Sequence, residues 1–176
     1  MVLILMGVTG SGKTTVGRAL ADALHCEFAD ADDFHSAANR AKMHAGIPLD
    51  GADRAPWLRS LHDQITEWLE AGKTAVLACS ALRESYRAEL VQGTAPGAVQ
   101  FILLQGPASL IYSRLEARKG HYMPASLLRS QIDTLEPPHG ALEISVTKNV
   151  PAIVREIMTA LWPEGYAEHA GTEGGL

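Results

Sequence analysis

The first apolar segment of this chain runs directly into a glycine-rich loop, and this junction constrains the fold more than any other feature. Residues 2–6 are all apolar, and residues 7–14 read Gly-Val-Thr-Gly-Ser-Gly-Lys-Thr, a complete Gly-x-x-x-x-Gly-Lys-Thr pattern. The helical spacing of Val16, Leu20 and Leu24 after the loop predicts a strand–loop–helix unit. In that context the backbone N–H groups of the loop form a cradle for phosphate groups.

The residue types in the loop predict a bound nucleoside triphosphate. Lys13 supplies a positive charge to the β- and γ-phosphates, and the Thr14 hydroxyl is placed to coordinate Mg²⁺. The alternative is a glycine-rich turn that merely joins a strand to a helix. The expected nucleotide contacts in this segment are Gly7, Thr9, Gly10, Ser11, Gly12, Lys13, Thr14 and Thr15.

Length and composition favour one domain without a nucleic-acid or membrane partner. The chain has 176 residues, of which 47% are hydrophobic, and this is enough for one substantial core. Its net charge is −5 and its 15 Lys and Arg residues are scattered, which argues against binding to nucleic acids or anionic membranes. No membrane span or signal peptide is recognisable, so we expect a cytosolic protein. Cys26 and Cys79 lack redox or metal-ligand spacing, and we interpret them as buried free thiols.

Apolar runs alternate with helical periodicity, which predicts an α/β fold with a parallel sheet and helices on both faces. One domain over residues 1–162 and a flexible tail over 163–176 are expected. The helix at 54–71 carries an apolar stripe that we assign to the core, namely Trp57, Leu58, Leu61, Ile65, Trp68 and Leu69. The predicted strands are 2–6, 27–30, 74–79, 99–104 and 141–146, and the predicted helices are 12–24, 36–45, 54–71, 83–91, 107–118, 124–135 and 150–161.

Polar residues follow the second strand, where ligands of parallel sheets gather. Asp30, Asp32 and Asp33 precede His35 there. A carboxylate at this place can accept a hydroxyl proton or support Mg²⁺ through water. Alternatively, Asp32 or Asp33 caps the next helix, although this does not account for all three acids.

Two further segments leave alternatives open. Ser80 follows the third strand and either lines a ligand site or caps the helix at 83–91. Arg54 either clamps a carboxylate or phosphate, or pairs with Asp50 at the start of a helix. The third strand ends in Cys79-Ser80 rather than in an acid that holds Mg²⁺, so metal support falls to Thr14, Asp30 and Asp32. This departure argues against a motor or helicase ATPase.

Cations cluster between the two helices predicted at 107–118 and 124–135. Arg114, Arg118, Lys119 and His121 lie there around Gly120. Such a cluster is typical of a mobile lid, expected over 118–135, which neutralises charge on the transferring phosphate and excludes water. The alternative is a solvated basic turn at a helix C-terminus.

Together these motifs resemble those of gluconate kinases, which are related to shikimate kinases. The resemblance extends to about residue 161. Beyond the glycine-rich loop, it is carried by Asp30 to His35, Asn39-Arg40, Lys42-Met43, Gly46 to Leu49, Asp53 to Leu58, Cys79 to Leu82, Tyr86-Arg87, Ser113 to Leu115, Arg118 to Met123, Ser130-Gln131 and Thr134 to Pro137. Tyr122 replaces a common Phe, and Asp50-Gly51 replaces a common Asn-Asp.

The resemblance implies ATP-dependent phosphorylation of D-gluconate at its 6-hydroxyl, with Mg²⁺ as cofactor. It also implies a five-stranded sheet of order 2-3-1-4-5 and a homodimer. By similarity, Lys13, Asp32 and Arg118 are catalytic, and Arg114 lies along the nucleotide. Thr14 and, through water, Asp30 support Mg²⁺. The implied substrate contacts are Asp32, His35, Arg54, Ser80, His121 and Gln131. Rival interpretations are a kinase of shikimate or of a nucleoside monophosphate, a GTP-driven switch, and a non-catalytic nucleotide-binding protein.

Overall fold

The core of the protein is a five-stranded parallel sheet. The computed structural model describes residues 1–117 and 125–166. The strand order is β2-β3-β1-β4-β5 and every neighbouring pair is parallel, as expected from the resemblance. The strands are β1 (Val2–Met6), β2 (Glu27–Asp30), β3 (Ala75–Ala78), β4 (Val99–Gln105) and β5 (Leu142–Ser145).

Helices connect the strands, and a short 3-10 helix (Ala31–Phe34) follows β2 directly. Most boundaries fall within a few residues of those predicted from the sequence. Among the described residues, the α-helices are α1 (Lys13–Leu24), α2 (Ala37–His44), α3 (Gly51–Glu70), α4 (Glu84–Leu90), α5 (Ala108–Glu116), α6 (Ala125–Thr134) and α7 (Val150–Leu161).

The central strand β1 is buried on both faces because helices cover the sheet on both sides. Side chains alternate along a strand, so Val2, Ile4 and Met6 join one core cluster while Leu3 and Leu5 join the other. The first cluster includes buried residues of α3 and α4, and the second includes buried residues of α1 and α7. The first residues of the chain are therefore the centre of a three-layer structure.

A smaller apolar cluster lies beyond the carboxyl ends of the strands. It consists of Val8, Leu82, Ile111, Leu115 and Leu128, which come from the glycine-rich loop, the segment after β3, α5 and α6. Parallel strands have all their carboxyl ends at one edge, so this cluster supports the loops of that edge. The polar segments singled out in the sequence meet at the same edge.

Helix α3 begins at Gly51 rather than at the predicted residue 54. Asp50 accepts a hydrogen bond from the Asp53 N–H (2.9 Å), and the Asp53 carboxylate accepts one from the Asp50 N–H (3.0 Å), forming a capping box. Pro56 lies inside the helix, in its second turn. In the second turn, proline removes only one backbone bond, and the reciprocal cap stabilises the earlier start.

The predicted apolar stripe of α3 is buried at four of its six positions. Leu58, Leu61, Ile65 and Trp68 are buried, whereas Trp57 and Leu69 are half-buried. Trp57 and Leu69 pack against the same core cluster, so the assignment of the stripe to the core is confirmed. Trp57 also lies beside the polar edge of the sheet.

The two cysteines are free, as expected. Burial raises the pKa of the Cys79 thiol to about 12, and burial together with the Glu27 charge raises that of Cys26 to about 11. Cys26 is only half-buried.

No helix within the described ranges is long and apolar enough to cross a membrane.

Of the predicted tail, residues 163–166 are described, and Tyr166 packs edge-to-face on Trp162 with ring centroids 4.7 Å apart. Residues 167–176 lie outside the described residues.

Gly17 provides a test of the packing between α1 and the sheet. A Cβ atom there would lie 2.6 Å from Cε2 of Phe28 and 3.1 Å from Cδ1 of Leu5. Overpacking of this kind costs more than alanine gains by its helix propensity, so Gly17→Ala should lower the free energy of unfolding by about 1 kcal/mol. Gly51→Ala is the matched control, because a Cβ atom at Gly51 would have no neighbour within 4 Å. Urea denaturation measures both variants, and a Gly17→Ala midpoint at or above the wild-type value contradicts this packing.

Candidate active site

The glycine-rich loop, residues 7–14, leaves the buried end of β1 and leads into α1. Gly7, Gly10 and Gly12 all have positive φ angles. At Gly10, with φ +79°, a Cβ atom would lie 2.7 Å from Cγ of Leu115, so both the backbone angle and the space require glycine. Gly12 is the N-cap of α1 and no side chain caps it. The first N–H groups of α1 are therefore available to an anion.

Lys13 folds back over this loop. Its Nζ donates hydrogen bonds to the carbonyl oxygens of Gly7 (3.0 Å) and Val8 (3.1 Å). The ammonium group thus lies beside the loop backbone, where a positive charge complements phosphate oxygens. Ser11 is fully buried and its Oγ has no hydrogen-bond partner in the described structure, whereas Thr14 and Thr15 are exposed at the start of α1.

Thr14 and the acidic segment after β2 meet directly. The Thr14 hydroxyl donates a 2.7 Å hydrogen bond to Oδ2 of Asp30, and Oδ1 of Asp30 accepts one from the Asp32 N–H at 3.1 Å. Asp30 therefore caps the 3-10 helix, and Ser36 caps α2 by accepting the Asn39 N–H. The alternative role of Asp32 or Asp33 as the cap of the following helix was wrong.

The oxygen atoms of Thr14 and Asp30 suit Mg²⁺, which prefers carboxylate, hydroxyl, water and phosphate oxygens. Across residues 1–117 and 125–166, no group of three or more His, Cys, Asp or Glu is arranged to hold a metal ion. Such a pair fits Mg²⁺ that takes its remaining oxygens from a nucleotide and water, which is how this ion usually binds in phosphoryl-transfer sites.

Asp32 lies at the solvent-accessible edge of this group. Loss of part of its water shell and the negative charge of Asp30 raise the pKa of the Asp32 carboxyl. The charges of His35 and Lys13 oppose this rise. Asp32 therefore lies close enough to Lys13 and His35 for their charges to act on its carboxyl.

His35 is buried and stacks on Trp57. The two rings are 4.6 Å apart and inclined by 10°, and the Trp57 Nε1–H donates to the Ala31 carbonyl at 2.7 Å. His35 Nδ1 is buried and has no hydrogen-bond partner among the described residues. Burial lowers the pKa of His35, Asp32 raises it, and Arg40 and Arg54 lower it, so the ring is held toward its neutral form. Trp57 thus orients a site residue, which its apolar spacing alone did not reveal.

Arg54 projects from the first turns of α3 toward α4. Its Nη1 donates to the Tyr86 hydroxyl at 3.3 Å, and its guanidinium carbon is 6.0 Å from the centre of that ring. The alternative ion pair with Asp50 was wrong, because the Asp50 side chain caps α3 instead. Half-buried and without a carboxylate partner among the described residues, Arg54 is free to bind an anionic group.

Contacts between α2 and α3 fix the helix turn that carries Arg54. The buried Asn39 donates through Nδ2 to the Asp53 carbonyl at 2.8 Å, and Lys42 Nζ is 2.6 Å from the Asp53 carboxylate. The hydrogen bond with Lys42 lowers the pKa of Asp53. We did not assign Asn39 or Asp53 to the site from the sequence. The capping pattern Asp50-x-x-Asp53 was the available signal.

Ser80 and Gln131 both lie against the glycine-rich loop. The Ser80 carbonyl accepts the Gly7 N–H at 3.3 Å, and Gln131 Oε1 accepts the Thr9 N–H at 2.6 Å. Arg83, not Ser80, is the N-cap of α4, so the capping alternative for Ser80 was wrong.

Arg114 donates through Nη2 to the Val146 carbonyl, just beyond β5, at 2.7 Å.

The structure therefore brings most of the predicted site together at one edge of the sheet. The loop, Thr14, Asp30, Asp32 and His35 are joined there with Arg54, Ser80 and Gln131. Arg118 and His121, together with Lys119 and Gly120, lie outside the described residues, and their roles stay predictions.

Comparisons with known proteins show what this chain is similar to. Residues 2–138 match the family model described as AAA domain. The chain is 44% identical to a probable gluconokinase of Mus musculus over 178 aligned residues, covering 91% of this chain and 97% of that protein. The crystal structure of a gluconokinase from Sinorhizobium meliloti 1021 superimposes with a TM-score of 0.81 at 38% identity, covering 93% of this chain and 92% of the other.

A shikimate kinase from Aquifex aeolicus superimposes with a TM-score of 0.59 at 18% identity over 93% of this chain and 98% of its own, which shows a shared fold only. The glycine-rich loop, the parallel sheet and the similarity over nearly the whole length lead to one assignment. The chain belongs to the gluconokinase family.

Proposed function

We propose that the protein transfers the γ-phosphoryl group of ATP to the 6-hydroxyl of D-gluconate, producing 6-phospho-D-gluconate and ADP. The glycine-rich loop, residues 7–14, is called the phosphate loop. The observation that carries this proposal is its direct contact with the acidic segment after β2, through Thr14 and Asp30. That contact places carboxylates next to the expected γ-phosphate, where an acceptor hydroxyl must lie. Similarity to gluconokinases over most of the chain supports gluconate as the acceptor.

In this proposal the amides of residues 7–15 and Lys13 hold the triphosphate. Arg114 lies along the nucleotide, and Arg118 covers the phosphates. Thr14 and, through water, Asp30 would hold Mg²⁺, which neutralises phosphate charge when bound. Two parts of this positive charge are present in the described residues, because Lys13 lies over the loop and α1 presents uncapped N–H groups.

Asp32 orients the 6-hydroxyl and accepts its proton. The hydroxyl oxygen forms the new bond to the γ-phosphorus, while the bond to the bridging oxygen of ADP breaks and its electron pair leaves with ADP. Since phosphoryl transfer passes through a loose transition state, positioning and charge neutralisation contribute more than activation of the nucleophile. An accessible carboxylate with a raised pKa suits a proton acceptor of this kind.

The remaining polar residues of the edge hold the sugar acid. Arg54 binds the gluconate carboxylate, because it is half-buried and its described contact is the neutral hydroxyl of Tyr86. His35 and Ser80 line the same pocket and bind hydroxyl groups, as a neutral imidazole and a serine hydroxyl can. His121 and Gln131 complete the proposed set. The contact of Gln131 with the Thr9 N–H supports a position near the phosphates.

We also propose that the enzyme is a cytoplasmic homodimer. The location is inferred from the sequence, in which no membrane span or signal peptide is recognisable, and the dimer from the family resemblance. Size-exclusion chromatography with light scattering measures the oligomeric state directly, and a monomer at micromolar concentration contradicts the dimer.

The acceptor is tested with a panel of substrates in one ADP-release assay. Gluconate should support turnover with kcat/KM at least about a hundredfold above shikimate and AMP, because only gluconate fits an open-chain polyol pocket with one carboxylate clamp. Preferred turnover of shikimate or AMP favours the corresponding rival kinase. Nucleotide binding without turnover on any sugar acid favours a non-catalytic protein.

Asp32→Asn should keep ATP binding while kcat falls by about a hundredfold or more, because the amide no longer accepts the proton. Asp33→Asn is the matched control. It removes the neighbouring exposed carboxylate and should leave kcat within about twofold, since Asp33 has no assigned contact with either substrate. Titration calorimetry with a nonhydrolysable ATP analogue and the ADP assay measure the two properties. If Asp32→Asn instead loses nucleotide binding but turns over normally once nucleotide is bound, Asp32 is not the proton acceptor.

Arg54→Ala should raise the KM for gluconate by at least about tenfold and leave the KM for ATP unchanged, because a charge-assisted contact with the carboxylate is lost. Arg59→Ala serves as control, since Arg59 is exposed on the same helix. Steady-state kinetics with each substrate varied in turn measures the effect. Equal changes in the two KM values, or none, would show that Arg54 does not hold the acceptor.

A further inference from the structure

The segment between β3 and α4, residues 79–83, is the β3–α4 turn. It lies between the glycine-rich loop after β1 and the acidic segment after β2, because β3 lies between those two strands. The Cys79 N–H donates to the Leu5 carbonyl at 3.0 Å, and the Ser80 carbonyl accepts the Gly7 N–H of the phosphate loop at 3.3 Å. Ala81 has φ +43°, a left-handed conformation that costs energy for any residue with a Cβ. A strained turn of this kind keeps its shape only when neighbouring groups hold it.

Arg87 holds the β3–α4 turn from within the protein. Its side chain is buried, and its Nη1 donates to the carbonyls of Ala81 at 2.9 Å and Leu82 at 3.2 Å. One of these two carbonyls belongs to Ala81, the residue with the positive φ angle. The turn is thus fixed from its inner side by a guanidinium group of α4.

Glu136 holds the same turn from the outside. Its N–H donates to the Leu82 carbonyl at 2.9 Å, and its Oε2 accepts the Glu84 N–H at 2.5 Å from 52 residues away in sequence. The N-cap of α4, Arg83, makes no side-chain capping bond. The carboxylate of Glu136 therefore replaces a local cap at the start of α4, where a negative charge is also favoured by the helix dipole.

Glu136 follows α6 closely in sequence, and α6 also contacts the phosphate loop. Gln131 of α6 accepts the Thr9 N–H at 2.6 Å. One segment of the chain, residues 131–136, therefore bonds to both the phosphate loop and the β3–α4 turn. In the proposed function the phosphate loop holds ATP and Ser80 of the turn contacts gluconate. The distance between the two bound substrates therefore depends on how these two elements are held.

We propose that Glu136 is a positioning residue for the acceptor, which acts by fixing the β3–α4 turn and with it Ser80. The inference rests on the proposed function, because it takes gluconate as the molecule that Ser80 contacts. Glu136 is exposed and takes no part in the apolar core. Without its carboxylate the Glu84 N–H at the start of α4 is uncapped and the adjoining end of the turn is less fixed, while the bonds of Arg87 and of the Glu136 N–H to the turn remain. Gluconate then has to restore the productive conformation when it binds.

Glu136→Ala should raise the KM for gluconate by about fivefold, as expected for one lost cap, with the KM for ATP within about twofold of wild type. Glu136→Gln should rescue the KM for gluconate to within about twofold, because its amide oxygen still accepts the Glu84 N–H. Glu136→Asp shortens the side chain by one methylene group and so moves the carboxylate oxygen away from the Glu84 N–H, with a smaller change than Glu136→Ala. It should raise the same KM.

Glu27→Ala is the matched control for a purely structural effect. Glu27 is also an exposed glutamate with long-range bonds, to Trp68 Nε1 at 2.9 Å and Lys73 at 2.6 Å, but it lies at the amino end of β2, away from the site. It should lower the melting temperature without changing the KM for gluconate.

The outcomes separate the inference from the function on which it rests. Wild-type enzyme without turnover of gluconate overturns the proposed function. Active wild type together with an unchanged KM for gluconate in Glu136→Ala and Glu136→Asp overturns the role of Glu136, even if both variants melt earlier. An amide variant as impaired as the alanine variant also contradicts it, because the hydrogen bond would then not be the cause.

Discussion

The rest of this structure depends on the burial of β1 between two helical layers. A strand covered on both faces and paired on both sides has no freedom to shift, so the loop that leaves it is held at a fixed place on the sheet edge. The phosphate loop therefore combines a rigid origin with a backbone of positive φ angles. Lys13, bonded to Gly7 and Val8, and the uncapped start of α1 add positive charge at that point. The site is built outward from this loop.

Around the loop, three residues of the candidate site are each held by a contact from another element. Asp30 is bonded to Thr14, His35 is stacked on Trp57, and Arg54 rests on Tyr86. Such contacts reduce the number of conformations that the site samples before substrates bind, and this lowers the ordering cost of a reaction that depends on positioning. Phosphoryl transfer is a reaction of that type.

The sequence predicted the fold well because its signals are local and mutually consistent. The strand–loop–helix junction and the continuous apolar runs identified β1, β3 and β4, and the residues that follow the strands indicated most of the candidate site. The errors have two origins. The start of α3 was predicted too late although the Asp50–Asp53 capping box that decides it is local. The supposed cap at Ser80 was judged from one segment alone, whereas the start of α4 receives its side-chain cap from Glu136. The Glu136 cap of α4 lies far away in sequence and had no local signal.

The sequence by itself determined the phosphate loop, the alternation of strands and helices, and the acidic, basic and hydroxyl residues available at the carboxyl edge. These follow from side-chain chemistry and from the periods of strands and helices, which act over a few residues. Tertiary structure alone decided which of those residues meet, for example that Gln131 reaches Thr9 and that Glu136 caps α4. The physical reason is that a hydrogen bond between distant segments depends on how the layers pack, and packing is a property of the whole chain.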